Sequence, residues 1–206
     1  RSRGLGDVYK RQGKAKQVGT SIETETETET EFEDVCAIFL IDLDNFKHLN
    51  DTYGHDKGDS ALYHVARALQ TVSRNTDKLI RWGGEEFLLV VPSINSSDIV
   101  EFNKRLHRSI ASLHQVLEIP EPISMSIGAT RLPWEGCTLD SKVWEHSILI
   151  ADWALYQAKD SGRNVTIFIN ASREMAAWSD WSVEGLSSAA SQGLLLSSML
   201  ENDSPS

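Results

Sequence analysis

The sequence predicts an α+β fold: a ferredoxin-like βαββαβ core with an extra helix and strand, its central sheet mostly antiparallel and its helices packed on one side. Three observations carry that expectation. Residues 35–41 form a near-continuous apolar run of strand length, as expected for a strand covered on both faces. Two short strand-like segments flank Gly83-Gly84, a dipeptide suited to a tight hairpin. Segments with apolar residues at helical spacing separate the strands.

Each element follows in order. After the first strand, a polar, turn-rich stretch runs through Gly58, and a helix then aligns Leu62, Val65, Ala66, Leu69 and Val72 on one face. Strands are expected at 79–82 and 86–91, around the glycines. A second helix carries Ile99, Phe102, Leu106, Ile110, Leu113 and Leu117, and Pro120 and Pro122 mark its end. Residues 123–130 read as a strand. A third helix over 143–159 turns Ile148, Ala151, Leu155 and Ala158 inward, and Gly162 is placed to stop it. The last strand is expected at 165–169.

A chain of 206 residues buries one sizeable core, and the folded segment is expected over 34–170. Residues 1–12 lack periodicity, and 23–31 alternate Glu and Thr with no apolar face in either helix or strand. Residues 1–33 are therefore read as a non-native, disordered or helical leader. Residues 171–206 are read as a Ser-rich tail, with Trp178, Trp181 and Leu194 as groups able to dock.

The net charge of −10 argues against broad binding to DNA or RNA, which needs a basic face. An anionic substrate must then be held by a local basic cluster or a metal. The two cysteines, Cys36 and Cys137, have no CxxC spacing, which excludes a disulfide scaffold or zinc module and fits a reducing compartment. The longest apolar run is too short to span a bilayer, and no secretory signal is visible. A cytoplasmic domain is the expectation.

Four clusters carry chemistry. Asp42-Leu43-Asp44-Asn45-Phe46-Lys47 follows the first strand directly. A carboxylate at the end of a buried strand is costly unless it meets a cation, and oxygen donors favour Mg²⁺; the same residues equally suit a solvated turn or cap. Gly83-Gly84-Glu85-Glu86-Phe87 combines glycines, which permit close approach and positive φ, with two carboxylates at a hairpin. Paired strands lie about 4.8 Å apart, so if the first strand adjoins the hairpin, Asp42 and Glu85 could share a metal. Asn50, Asp51, Gly54, His55, Asp56, Gly58 and Asp59 either cap a loop-to-helix junction or read a guanine edge, whose N1–H and N2–H₂ a carboxylate can accept. Lys159 and Arg163, with Gly162 and Asn164, suit either phosphate neutralisation or a helix C-terminus.

Together these clusters resemble a known family. Residues 35–169 are similar to the GGDEF domain of bacterial diguanylate cyclases, on DLDNFKHLNDTYGHDKGD, RWGGEEF and ALYQAKDSGRN, in family order and at family-like spacing. GGEEF is an accepted form of the signature. The resemblance implies a nucleotidyl cyclase-like domain that condenses two GTP into cyclic di-GMP and two pyrophosphates. It implies Asp42, Glu85 and the Leu43 carbonyl as ligands of Mg²⁺, with Mn²⁺ as an alternative ion. Asn50 and Asp59 are implied as guanine readers, and Asp59 in place of serine favours GTP alone. Lys47, Lys159 and Arg163 are implied as phosphate contacts, Gly84 as the point of close approach, and Phe46 as a neighbour of the nucleotide. Glu86 is the position associated with catalysis, beside Glu85 and Lys47.

The same resemblance assigns Arg74 and Asp77, an RxxD set, to an inhibitory product-binding site, with Arg105 as a secondary contact. The family usually opens with a DxLTGLxNR-like segment that is not matched here, so an N-terminally truncated domain is expected. Catalysis is expected from a homodimer of half-sites, with a sensory or dimerising domain upstream. The competing reading is a catalytically silent receptor for cyclic di-GMP or GTP, disfavoured by the retained signature. A ferredoxin-like RNA-binding domain is disfavoured by the acidic charge and the lack of sheet aromatics.

Overall fold

The computed structural model describes residues 34–134, 137 and 140–200; the leader read over 1–33 lies outside them, as do residues 201–206. The central strand is β1 (Asp34–Leu43). Its odd-numbered side chains Ala37, Phe39, Ile41 and Leu43 enter one core, and Ile38 and Leu40 enter another on the opposite face. Side chains alternate faces along a strand, so burial on both faces demands the unbroken apolar run of this segment.

β1 pairs antiparallel with β3 (Glu86–Asn95) on one side and with β4 (Met125–Leu132) on the other. β2 (Lys78–Arg81) flanks β3, and β5 (Thr166–Ala171) lies parallel to β4. The parallel pair requires a crossover, supplied by the 20-residue helix α5 (Ser141–Asp160). The order β2-β3-β1-β4 is the ferredoxin-like core, and α5 with β5 is the expected extra helix and strand.

On the first face lie α1 (Phe46–Tyr53), α2 (His55–Val72) and α3 (Ile99–Ile110), with Leu62, Val65, Leu69, Phe102, Leu106 and Ile110 in the core. Burying each such side chain contributes roughly 1.5–3 kcal/mol. On the other face α5 presses Ile150, Ala151, Ala154 and Leu155 onto the sheet. The approach is close: a Cβ at Gly128 of β4 would sit 1.9 Å from the Ala151 carbonyl oxygen. Helices therefore cover both faces of the sheet, not one. The two-faced burial of β1 already required this.

Three local expectations are corrected. The turn-rich stretch contains α1, whose Phe46, Leu49 and Tyr53 make an apolar stripe diluted by Asn50 and Asp51, residues that compete for their own backbone. The second helix breaks after Ile110 and resumes as the single turn α4 (Leu113–Val116); Glu118, at φ 54°, ends it ahead of the prolines. The Ser-rich segment is not a tail. It carries α6 (Val183–Ser191) and β6 (Leu195–Leu200), which pairs antiparallel with β5. Leu186, Ala189 and Leu195 are buried in the second core, while the serines face outward. Trp181 stacks on His146 with ring centroids 3.7 Å apart, and the Trp153 indole donates to Ser187 Oγ at 3.3 Å. Among the described residues no helix is long and apolar enough to cross a membrane.

Candidate active site

One end of the sheet gathers the first, second and fourth clusters. The β1–β3 register sets Asp42 opposite Glu86, and the β1–β4 register sets it opposite Ser126. Leu43 N–H donates to the Glu85 carbonyl at 3.4 Å, so Glu85, Glu86, Asp42 and Leu43 share one edge of the hairpin mouth. Asp42 is buried, and the Lys159 ammonium lies 2.7 Å from its Oδ2. Burial raises the Asp42 carboxyl above the ordinary carboxylate range, with Lys159 pulling the other way. The Glu86 carboxyl is also raised, by burial first and then by the charge of Asp42. A carboxylate held nearer neutrality can accept a proton in the working pH range.

The hairpin is built differently from what its glycines suggest. Neither Gly83 nor Gly84 takes the left-handed conformation. Gly83 lets the Glu86 carboxylate lie close over the turn: a Cβ there would sit 2.7 Å from Glu86 Oε2 and push that carboxylate aside. Gly84 faces open space, and its carbonyl accepts two bonds from the Arg81 guanidinium, at 3.1 and 2.7 Å. Trp82 N–H donates to the Glu86 carbonyl at 2.8 Å and closes the turn.

The third cluster sits where α1 meets α2. Gly54, at φ 86°, joins the two helices, and a Cβ on Gly58 would fall 1.8 Å from Asn50 Oδ1. The missing side chain thus seats the Asn50 amide against the first turn of α2, one residue from Asp59. Asp59 is exposed and lines a hollow of about 500 Å³ together with Arg81 and Phe87 of the hairpin. Lys47 is exposed on α1. Phe46 is buried in the first core, its ring close to the Gly58–Asn50 contact.

The α5–β5 turn delivers the fourth cluster. Lys159 is in the last turn of α5, and Arg163 is exposed in the loop after it. That loop is tied to the end of β1 by Asp44, whose Oδ2 accepts the Asn164 backbone N–H at 2.9 Å. Asp44 had no role assigned from the sequence. Neither had Asp152 of α5, whose negative charge contributes to raising Glu86.

Arg74 and Arg105 line a second hollow with Phe102 and Asp98, away from the hairpin. Asp77 does not line it. Its Oδ2 accepts the Arg74 backbone N–H at 2.7 Å, so it is committed to its own turn. Arg105 donates to the Val72 carbonyl at 2.6 Å.

Carboxylate and backbone oxygens at Asp42, Glu85 and Leu43 are the donors that Mg²⁺ or Mn²⁺ prefers, and the buried Asp42 already recruits a cation in Lys159. The residues fit such an ion chemically. Among the described residues there is no group of three or more His, Cys, Asp or Glu side chains able to hold one without backbone or external oxygens.

A ferredoxin-like sheet extended by an α–β unit, with carboxylates at the ends of its two central strands and cations on the crossover helix and the loop after it, defines a nucleotidyl cyclase-like α+β domain. The chain belongs to the diguanylate cyclase GGDEF-domain family, whose sequence model matches residues 7–165. It is 36% identical over 137 residues to the bifunctional diguanylate cyclase/cyclic di-GMP phosphodiesterase MucR of Pseudomonas aeruginosa, a match covering 66% of this chain and 19% of that protein. The fold superposes on diguanylate cyclase SiaD, solved with its activator SiaC from Pseudomonas aeruginosa, with a TM-score of 0.57 and 35% identity over 65% of this chain and 50% of that one. It also superposes on the active GGEEF domain of a diguanylate cyclase from Vibrio cholerae, with a TM-score of 0.53 and 31% identity over 65% of this chain and 82% of that one.

Proposed function

We propose that this domain condenses two GTP molecules into cyclic di-GMP, releasing two pyrophosphates. The observation that carries the reading is the facing of Asp42 and Glu86 across β1 and β3, with Lys159 at 2.7 Å from Asp42. Paired carboxylates beside cations suit a triphosphate, whose transfer is governed by positioning and charge neutralisation.

Asn50 and Asp59 select guanine by its N1–H and N2–H₂ edge, and Lys47, Lys159 and Arg163 hold the phosphates. Asp42, Glu85 and the Leu43 carbonyl would hold Mg²⁺ or Mn²⁺, which when bound neutralises phosphate charge and acidifies a nearby hydroxyl. Glu86, raised by burial and by Asp42, takes the 3′-hydroxyl proton. The 3′ oxygen bonds to the α-phosphorus of the other nucleotide as the α–β anhydride bond breaks. A second, symmetric transfer closes the ring. Each domain holds one nucleotide, so the working unit is a homodimer of half-sites, in the cytoplasm, gathered by a sensory or dimerising domain. Arg74 and Arg105, in a hollow they share with Asp98 and Glu101, are the cations for product inhibition, with Asp77 shaping the Arg74 turn.

The test is incubation of an enforced dimer with GTP and Mg²⁺, followed by nucleotide analysis. Cyclic di-GMP is expected, and Glu86→Gln should lower its formation at least about 100-fold. GTP bound but unconverted by an enforced dimer would replace the cyclase with a silent receptor. Arg74→Ala should relieve inhibition by added product; inhibition of unchanged strength would remove the second site.

A further inference from the structure

We propose that Asp44 is a positioning residue for phosphate binding: it ties the α5–β5 loop to the end of β1 and thereby holds Arg163 beside Asp42. The proposal rests on the cyclase reading for the identity of the phosphate ligand. It does not rest on that reading for the tether itself.

The tether is built on both carboxylate oxygens. Oδ1 accepts from Ser126 Oγ at 2.7 Å, and Oδ2 accepts from Ser124 Oγ at 2.7 Å and from Asn164 N–H at 2.9 Å. The Asp44 backbone N–H adds a bond of 3.0 Å to the Ser124 carbonyl. One side chain thus joins the end of β1, the start of β4 and the entry to β5. Ser126 is fully buried, so its hydroxyl needs this acceptor.

The loop it holds is one the chain would not adopt unaided. Gly162, Arg163 and Asn164 all lie in the left-handed region, at φ 110°, 68° and 49°. Only the first of these is glycine, and a side-chain-bearing residue rarely adopts that conformation without an external constraint. The Asn164 bond to Asp44 fixes one end of the strained segment, and the Arg163 N–H bond to the Ala158 carbonyl, at 3.1 Å, fixes the other. Arg163 is exposed between them, four residues after Lys159 in the last turn of α5.

Asp44 lies two residues from Asp42, which invites its reading as a further metal ligand. Its geometry says otherwise: both oxygens already accept protein donors, and those donors belong to β4 and the α5–β5 loop, not to the hairpin. An asparagine could keep the pattern, its oxygen serving Ser124 and Asn164 while its Nδ2 donates to Ser126 Oγ. An alanine could not.

The experiment compares Asp44→Ala, Asp44→Asn and the double variant Ser124→Ala/Ser126→Ala in the enforced dimer, after thermal melting has confirmed that each is folded. Amide hydrogen exchange at Asn164 reads the tether without nucleotide; 3′-deoxy-GTP with Mg²⁺, which cannot react, reads phosphate binding by calorimetry. Asp44→Ala is expected to speed Asn164 exchange, weaken 3′-deoxy-GTP about tenfold and raise the KM for GTP more than it lowers kcat. The serine pair should move all three readings the same way, and Asp44→Asn should recover most of the loss. An Asp44→Asn protein as defective as Asp44→Ala, with a raised Mg²⁺ requirement, would make Asp44 a metal ligand and overturn the proposal. Unchanged Asn164 exchange in Asp44→Ala would overturn it as well. A wild-type protein without affinity for 3′-deoxy-GTP sinks the cyclase reading, and amide exchange still decides the tether.

Discussion

Replacing Lys159 with Met removes the ammonium 2.7 Å from Asp42 Oδ2 and keeps an unbranched side chain of similar reach. The Asp42 side chain is only 8% exposed, and burial holds its carboxyl high even with the lysine beside it. Losing one partner of a fully buried pair costs about 3–5 kcal/mol. The Lys159 side chain is 36% exposed, so water screens this pair and the expected loss is about 1–2 kcal/mol near pH 8. The pH dependence has a definite sign. The native carboxyl titrates above the ordinary 3.8, so in the window just above that value the native state keeps a proton the unfolded chain has released, and stability falls as pH rises through it. Removing the lysine lifts the native carboxyl further and widens the window. The variant's deficit should therefore be largest near pH 8 and shrink toward zero at about pH 3, below the ordinary 3.8, where Asp42 is protonated in the native and unfolded states alike. Urea unfolding followed by far-ultraviolet dichroism at both pH values measures it, with the slope checked for constancy. A deficit equal at both, or greater in acid, would refute the charge argument and leave lost packing of the lysine stem as the cause.

Gly58→Ala drives a methyl into Asn50 Oδ1, so the KM for GTP should rise about tenfold, the worth of one displaced hydrogen bond, in steady-state assays. His107, buried and neutral with its pKa lowered to about 4 by desolvation, leaves the unfolded chain binding more protons below 6.5; stability should fall by up to about 3 kcal/mol between those values, and His107→Leu should flatten the fall in acid denaturation. Leu186→Ala, in the C-terminal helix and 2% exposed, should cost about 2–4 kcal/mol in the same unfolding experiment, whereas a residue of a loose tail would cost nothing.

What the sequence disclosed depended on how strongly burial constrained each segment. β1 was legible because both its faces are packed over 37–41, leaving no position there free for a polar residue. α1 was hidden because its stripe is short and its polar residues are those that also make turns. The C-terminal helix and strand were hidden because an edge strand buries few of its side chains: from Leu195 to Leu200 only the first is buried, and Leu196 and Met199 lie exposed beside Ser197 and Ser198. At the site, Asp42, Glu85, Glu86 and Lys159 announced themselves as charges next to apolar strands and helices. The hydrogen bonds of Asp44 did not. Ser124, Ser126 and Asn164 are unremarkable residues far along the chain, and their meeting with Asp44 is a product of strand order. Phe46 differs from its exposed motif neighbours Asn45 and Lys47, because its own ring is buried in the core.

The bond from Asn164 to Asp44 spans 120 residues of sequence. Such a contact forms only after β4 has paired with β1 and β5 has been laid beside β4 through the long α5 crossover, a non-local closure and a slow one. During synthesis the carboxylates of β1 and the hairpin are made, with Lys47, well before Lys159 and Arg163. A growing or partly folded chain therefore lacks two of the three cations assigned to the phosphates. Affinity for an anionic ligand arrives together with the final strands, which makes ligand binding itself a check that the fold is complete.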